Sequence, residues 1–309
     1  MKHGTGITRA GVYSCVVALM TWNTTSNHIL AAEISVGPGK DHDTIQAAVD
    51  AAVSGDHVVV EPGTYLENVT IGKNIKLISS EGAGATTIVG SATATPSPRN
   101  LGTVVLDGAT TAVQIGDAGQ GFTIVGFDGL TAGLETSALY FRGPHDDAII
   151  RGNVFFSNGD SALLTEWGNI YSGLEIVGNR FTGASFVEIP AGDSGSSGQF
   201  TTPNVPRHPI FIGSPGNVPL LTFSDNVVES IAGGANSDGK PQGVHLATIY
   251  ASSATITGNV FSGVTQREGA YALRLPEGSS TLEDNTFVSD GLTEGAGFII
   301  APAADLAIV

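Results

Sequence analysis

One short pattern recurs five times in the second half of the chain. Its copies are Ile150-Arg-Gly-Asn153-Val-Phe155, Ile176-Val-Gly-Asn179-Arg-Phe181, Phe223-Ser-Asp-Asn226-Val-Val228, Ile256-Thr-Gly-Asn259-Val-Phe261 and Leu282-Glu-Asp-Asn285-Thr-Phe287. The template is an apolar residue, any residue, Gly or Asp, Asn, any residue, then Phe or Val. Ile124-Val-Gly-Phe127-Asp-Gly129 is an earlier, degenerate copy. Repetition at this scale means stacked units, because one unit cannot bury its apolar face alone. The apolar positions stack on their equivalents, and a buried Asn can hydrogen-bond the Asn of the next unit to form a ladder. The successive asparagines lie 26, 47, 33 and 26 positions apart. A step of 47 reads as two turns of the stack, and one of 33 as a single turn with an insertion.

Between these copies runs a second family of short strands. Its members are Ala138–Arg142, Ala162–Glu166, Phe186–Pro190, Pro209–Gly213, Val244–Thr248 and Tyr271–Leu275. Alternation with period two sends Leu139, Phe141, Leu163, Val187, Ile189, Ile210 and Ile212 inward. It leaves Tyr140, Arg142, Glu166 and Glu188 outward, joined by His245 and Arg274. The predicted fold is all-β: a single-stranded right-handed parallel β-helix of about ten coils. Composition agrees. There are 42 glycines in 309 residues and only 14% charged residues, where ordinary domains have ~7% glycine and ~25% charge. The glycines follow no three-residue period, which excludes collagen.

The net charge is −16, from 13 basic and 29 acidic residues. That balance argues against nucleic acid and against an anionic membrane surface as partners. It suits cations, neutral glycans or a calcium-bridged acidic substrate. Lys2 and Arg9 precede the apolar run Gly11–Thr21, small residues follow at Ala31 and Ala32, and no acid occurs before Glu33. This order predicts a secretory signal over 1–32, too short to span a bilayer, and a single domain over 33–309. Export is therefore expected, to an extracellular or periplasmic location. The one cysteine, Cys15, falls inside the signal, so the exported chain has no disulfide, thiolate nucleophile or thiolate metal site.

Residues 44–52, Thr-Ile-Gln-Ala-Ala-Val-Asp-Ala-Ala, predict a short amphipathic helix with Ile45, Ala48, Val49 and Ala52 on one face and Asp43 as its cap. Strands are expected at His57–Glu61, Leu66–Ile71 and Ile75–Ile78 around Pro62-Gly-Thr-Tyr65. This stretch resembles the opening of the pectin-lyase-like superfamily of right-handed parallel β-helices. There the helix plugs the first coil and Pro-Gly-Thr-Tyr makes a turn. With the Asn repeats, the resemblance covers roughly 33–300. It implies the fold and leaves the activity open, because lyases, hydrolases, esterases, adhesins and accessory proteins share it.

The branches can be checked against the residues. Gly63-Thr-Tyr65-Leu-Glu67 matches a block of the pectinesterases, but their paired catalytic aspartate blocks do not occur. Asp146-Asp147 is a pair, without the Gly-His-Gly and Arg-Ile-Lys blocks of the polygalacturonases, and it reads as a turn. Lyases of this fold take the proton beside a uronate carboxylate, which needs a base and a charge neutraliser such as calcium, Arg or Asn. The candidate catalytic residues are Arg142, Arg274, Glu166 and Glu188, with Tyr140 and His245 on the substrate. No protein metal site is expected, and calcium is the cofactor such chemistry would call on. The same charges could equally form a salt-bridged surface. Two functions follow: an exported protein that binds or processes a polysaccharide, by β-elimination from a uronate polymer if it is an enzyme, or a non-catalytic surface or structural solenoid.

Overall fold

The computed structural model describes Met1 and residues 31–91, 101–127, 136–157, 161–183, 210–229, 246–262, 271–288, 297–301 and 305–309. The chain divides into two units, Met1–Leu30 and Ala31–Val309, and every described strand belongs to the second. These strands are two to seven residues long and form four sheets of 10, 8, 8 and 3 strands, every pairing among them parallel. Each circuit of the chain adds one strand to each large sheet in turn, so the protein is a parallel β-helix. Sheet 1 holds ten strands, from Glu33–Val36 to Asp305–Ile308, which sets the number of coils.

One coil shows the path. Ile149–Arg151 lies in sheet 1, Val154–Ser157 in sheet 2, Ser161–Thr165 in sheet 3 and Tyr171–Ser172 in the small sheet 4, before Leu174–Val177 re-enters sheet 1. The corner from sheet 1 to sheet 2 is the Gly/Asp–Asn pair. Its first residue is left-handed: φ is 68° at Gly152, 64° at Gly178, 56° at Asp225, 66° at Gly258 and 53° at Asp284. Glycine occupies that region without strain and Asp tolerates it, which is why one or the other stands there in every copy.

The asparagines form the expected ladder. Asn153, Asn179, Asn226 and Asn259 each donate their backbone N–H to the Oδ1 of the next one, at 3.0, 2.9, 2.9 and 3.1 Å. Each Nδ2 bonds the next Oδ1 as well, at 2.9 to 3.2 Å. It also donates to a main-chain carbonyl, such as that of Ile150 for Asn179 and of Ile176 for Asn226. The amides of these buried side chains are thereby satisfied inside an apolar core, as burial demands. The bond from Asn179 to Asn226 is direct, so the step of 47 is one coil and not two. Its extra residues lie between 183 and 210, outside the described residues.

The interior is built from stacked columns. In sheet 1, Ile150, Ile176, Phe223, Ile256 and Leu282 are ladder neighbours. In sheet 2, the column runs Phe155, Phe181, Val228, Phe261 and Phe287. One coil exchanges the two sizes, with Phe223 in the Ile column and Val228 in the Phe column. The ring therefore crosses the core from the other wall, and the ring stack continues. Centroids are 5.1 Å apart for Phe155–Phe181, 6.3 Å for both contacts of Phe223, and 5.1 Å for Phe261–Phe287. Volume is conserved and density kept.

The helix, Ile45–Ala51, covers the first coils with Ile45, Ala48 and Val49 buried. Its cap is Thr44, whose hydroxyl accepts from the N–H of Ala47 at 3.3 Å, and not Asp43. Two distant residues complete the ends. The Glu67 carboxylate accepts from the N–H groups of Ile45 and Gln46, both at 2.9 Å. The Lys73 ammonium donates to the carbonyls of Val49, Asp50 and Ala52. Opposite charges thus sit at the two ends where the orphan N–H and C=O groups need them. Tyr65 donates to the carbonyl of Glu61 at 3.0 Å. The Gly63–Glu67 block accordingly has a structural task in this chain.

Candidate functional site

The outward residues fall on the outer face of sheet 3 and on the corner leading back to sheet 1. Register defines two columns there. In the first, Asp107 is paired with Arg142, and Glu166 comes next, since its N–H bonds the carbonyl of Phe141 at 2.8 Å. The following position is Gly213. In the second, Val105, Tyr140, Leu164, Phe211, Thr248 and Arg274 are successive neighbours.

These columns separate the candidate catalytic arginines. Arg274 shares the column of Tyr140, four strands further along. At ~4.8 Å per strand that is about 19 Å, too far for Arg142 and Arg274 to act on one reacting atom. Leu139, Phe141, Leu163, Ile210 and Ile212 are all fully buried, as alternation requires. Tyr140 points to the outer face as expected but is only 1% exposed, so no ligand in solvent reaches it in this structure. The strand beside Ser161–Thr165 is Ile210–Ile212, so the place expected for Glu188 is taken by Gly213. Glu188, His245, Val187 and Ile189 lie outside the described residues.

Arg142 is held. Its Nε and Nη2 donate to the two carboxylate oxygens of Asp107, at 2.7 and 2.6 Å. This hydrogen-bonded pairing keeps the Asp107 carboxyl below its usual range and raises Arg142 in turn. A general base needs the opposite change. Glu166 is also engaged, accepting from the N–H of Gly143 at 3.1 Å and from Asn169 Nδ2 at 2.6 Å. The corner beneath them is buried. Tyr171 donates to the carbonyl of Glu166 at 2.8 Å, and burial pushes its phenol up. His145 Nδ1 lies 2.7 Å from the hydroxyl of Thr110, its Nε2 has no partner among the described residues, and burial lowers its pKa. Arg274 makes no ion pair among the described residues. Beside it, the buried Thr248 hydroxyl has no partner among the described residues.

Sequence reasoning did not find the aromatic group at this corner. Trp167 and Tyr250 sit on coils separated by a whole coil, yet their rings meet edge to face with centroids 5.6 Å apart. The intervening coil places Gly213 between them, and a Cβ there would lie 2.4 Å from Val218 and 2.6 Å from the carbonyl of Tyr250. Phe211 lies beneath both, at 6.2 Å from Trp167 and 5.9 Å from Tyr250. Trp167 is 41% exposed while Phe211 is buried. The group stands at a step in the surface. The corner runs over residues 166–173 and 213–220 in two coils, then shrinks to 250–252. Glu277 bridges the step, accepting from the N–H of Gly216 at 2.6 Å.

Among the described residues no group of three or more His, Cys, Asp or Glu side chains could hold a metal ion. No helix among the described residues is long and apolar enough to cross a membrane.

The architecture and this corner define a parallel β-helix with an aromatic, hydrogen-bonding ledge beside sheet 3. No protein-family model matches the chain, and neither does any curated protein. Solved structures of similar coil architecture include an alginate lyase from Paenibacillus, at 13% identity and TM-score 0.37, covering 89% of this chain and 99% of that one. A pectin methylesterase from Aspergillus niger gives 15% identity and TM-score 0.41, over 87% and 89%. A pectin methylesterase from carrot gives 14% and 0.39, over 89% and 90%. Likenesses this distant concern the arrangement of the chain and carry no chemistry with them.

Proposed function

We propose that this chain is an exported protein that binds an extracellular polysaccharide along the outer side of sheet 3. The observation that supports it is the exposed ring of Trp167, packed on Tyr250 and Phe211 at the step and flanked by hydrogen-bonding groups. Aromatic rings with polar neighbours on a long, regular surface suit a repeating ligand of sugar rings, whose faces are apolar and whose edges are polar. Binding is favoured over catalysis because Arg142 and Glu166 are both occupied by neighbours. The leader expected over 1–32 and the acidic balance agree with a location outside the cytoplasm.

A second reading is β-elimination from a uronate polymer, and one observation favours it. Arg274, without an ion pair among the described residues, adjoins the unpartnered hydroxyl of Thr248. One experiment separates the two. The protein is incubated with alginate, pectate, chondroitin and neutral glycans, with and without calcium, while ultraviolet absorbance follows unsaturated products and co-sedimentation follows binding. Retention on a polymer without absorbance is expected. Absorbance that disappears in Arg274→Ala and survives in Arg142→Ala would establish the lyase instead. Neither binding nor absorbance on any polymer would overturn the polysaccharide reading.

A further inference from the structure

Resting on that reading, we infer that the Trp167–Tyr250 ledge takes an uncharged sugar ring and discriminates against uronates. Three features of the corner lead there. The first is the pair of rings. Two side chains from coils about 10 Å apart meet edge to face across the intervening coil, and Trp167, 41% exposed, keeps an indole face open. Such a face is apolar and matches the C–H face of a neutral pyranose in size.

The second is the polar rim. Glu166 is the residue before Trp167; its bonds to Gly143 and Asn169 both fall on Oε2, which leaves Oε1 without a partner among the described residues, and Glu277 lies across the step on Gly216. Carboxylates only accept hydrogen bonds, and sugar hydroxyls donate them, so the rim suits a ring carrying many hydroxyls. The third is charge. Arg142, the cation nearest Glu166 in their column, is already bidentate to Asp107. The other arginine of this face among the described residues, Arg274, sits one strand beyond Tyr250 and two positions before the residue aligned with it, away from Trp167. Near the ledge, among the described residues, Asp107, Glu166 and Glu277 thus share a single cation, Arg142, which Asp107 holds and whose pKa Glu166 also raises, on a chain of net charge −16. A polyanion approaching it is repelled both locally and by the whole molecule.

The test uses the full chain in a Trp22→Phe background. The sequence has two tryptophans, so the remaining fluorescence reports Trp167 alone. Hexamers of neutral β-linked glucose, mannose and galactose are titrated, beside hexamers of galacturonate and glucosamine. A saturable change is expected with at least one neutral hexamer, insensitive to added salt, and galacturonate should bind about tenfold more weakly or not at all. Calorimetry on Trp167→Ala should show a loss of about tenfold, and Trp167→Phe, which keeps a ring, should retain most of the affinity. Glu166→Gln should weaken the neutral ligand and narrow its advantage over galacturonate, because one of the repelling charges is gone. Galacturonate binding as tightly as the neutral hexamers would overturn the inference, as would unchanged binding in Trp167→Ala; glucosamine serves as the cationic control, whose binding should fall with added salt. If polymer retention persists in Trp167→Ala, the polysaccharide reading stands and only this ledge is wrong. If no glycan binds at all, both fall.

Discussion

Two corners of the same coil behave differently. The corner from sheet 1 to sheet 2 is a Gly/Asp–Asn pair repeated through five successive coils, with one geometry and one set of hydrogen bonds. The corner from sheet 3 back to sheet 1 changes from coil to coil, between residues 143–148, 166–173, 213–220 and 250–252. The first satisfies its polar groups through its own neighbours, so any departure breaks a neighbour too. The second closes each coil with whatever residues are at hand. Buried His145, the Arg142–Asp107 pair and the Trp167 ledge all belong to it. Regularity marks what holds the stack, and irregularity marks where a surface can be shaped.

The largest effect is expected at the ladder. Asn226→Ala removes the acceptor of Asn179 and the donor to Asn259 and to the carbonyl of Ile176. Several buried groups at ~1–3 kcal/mol each should bring a fall of about 4 kcal/mol in urea-denaturation stability. A loss below about 1 kcal/mol would show that water replaces the amide. The ring exchange comes next. Phe223→Ile and Val228→Phe should each cost about 1–3 kcal/mol, and the double variant should recover most of it. Additive losses would mean the two walls do not share one volume.

The variable corner should answer to pH. Burial lowers the pKa of His145, so below its unfolded value of ~6.5 the unfolded chain binds the proton more readily. Its contribution is fully present above that value and is lost as pH falls from there toward the folded pKa. His145→Phe should flatten the stability profile in this window, and an unchanged slope would place the titrating group elsewhere. Smallest is Arg142→Ala. The pair with Asp107 is about one third exposed on each side, so solvent screening limits the loss to about 1 kcal/mol or less. Polysaccharide binding should survive, and a variant that no longer binds would restore Arg142 to the site.

The ladder, the inward columns and the parallel coil were legible because stacking forces equivalent residues to repeat. The length of the coil containing Asn226 was not, because closure fixes only where the chain returns and says nothing about how far it travels between sheets 2 and 3. The helix was legible from its apolar face, but its cap falls one residue later than expected and its clamp by Glu67 and Lys73 was invisible. Both partners lie more than twenty positions away. The site was the least legible part. Asp107 meets Arg142 across 35 positions, and alternation predicts the side of a strand without naming its neighbours. Trp167 gave no periodic signal because it follows its strand into a turn, and its ring meets Tyr250 from more than eighty positions away.

The direct bond from Asn179 to Asn226 has a consequence for how such a chain can change. A circuit of 47 residues closes with the same hydrogen bonds as one of 26. Loop-closure entropy rises only as the logarithm of length, by ~0.6 kcal/mol per doubling. The perimeter between residues 183 and 210 is therefore decoupled from the register of the stack. A foreign segment grafted there would be presented from a rigid rung whose position does not depend on what is grafted, which makes this edge a natural display site.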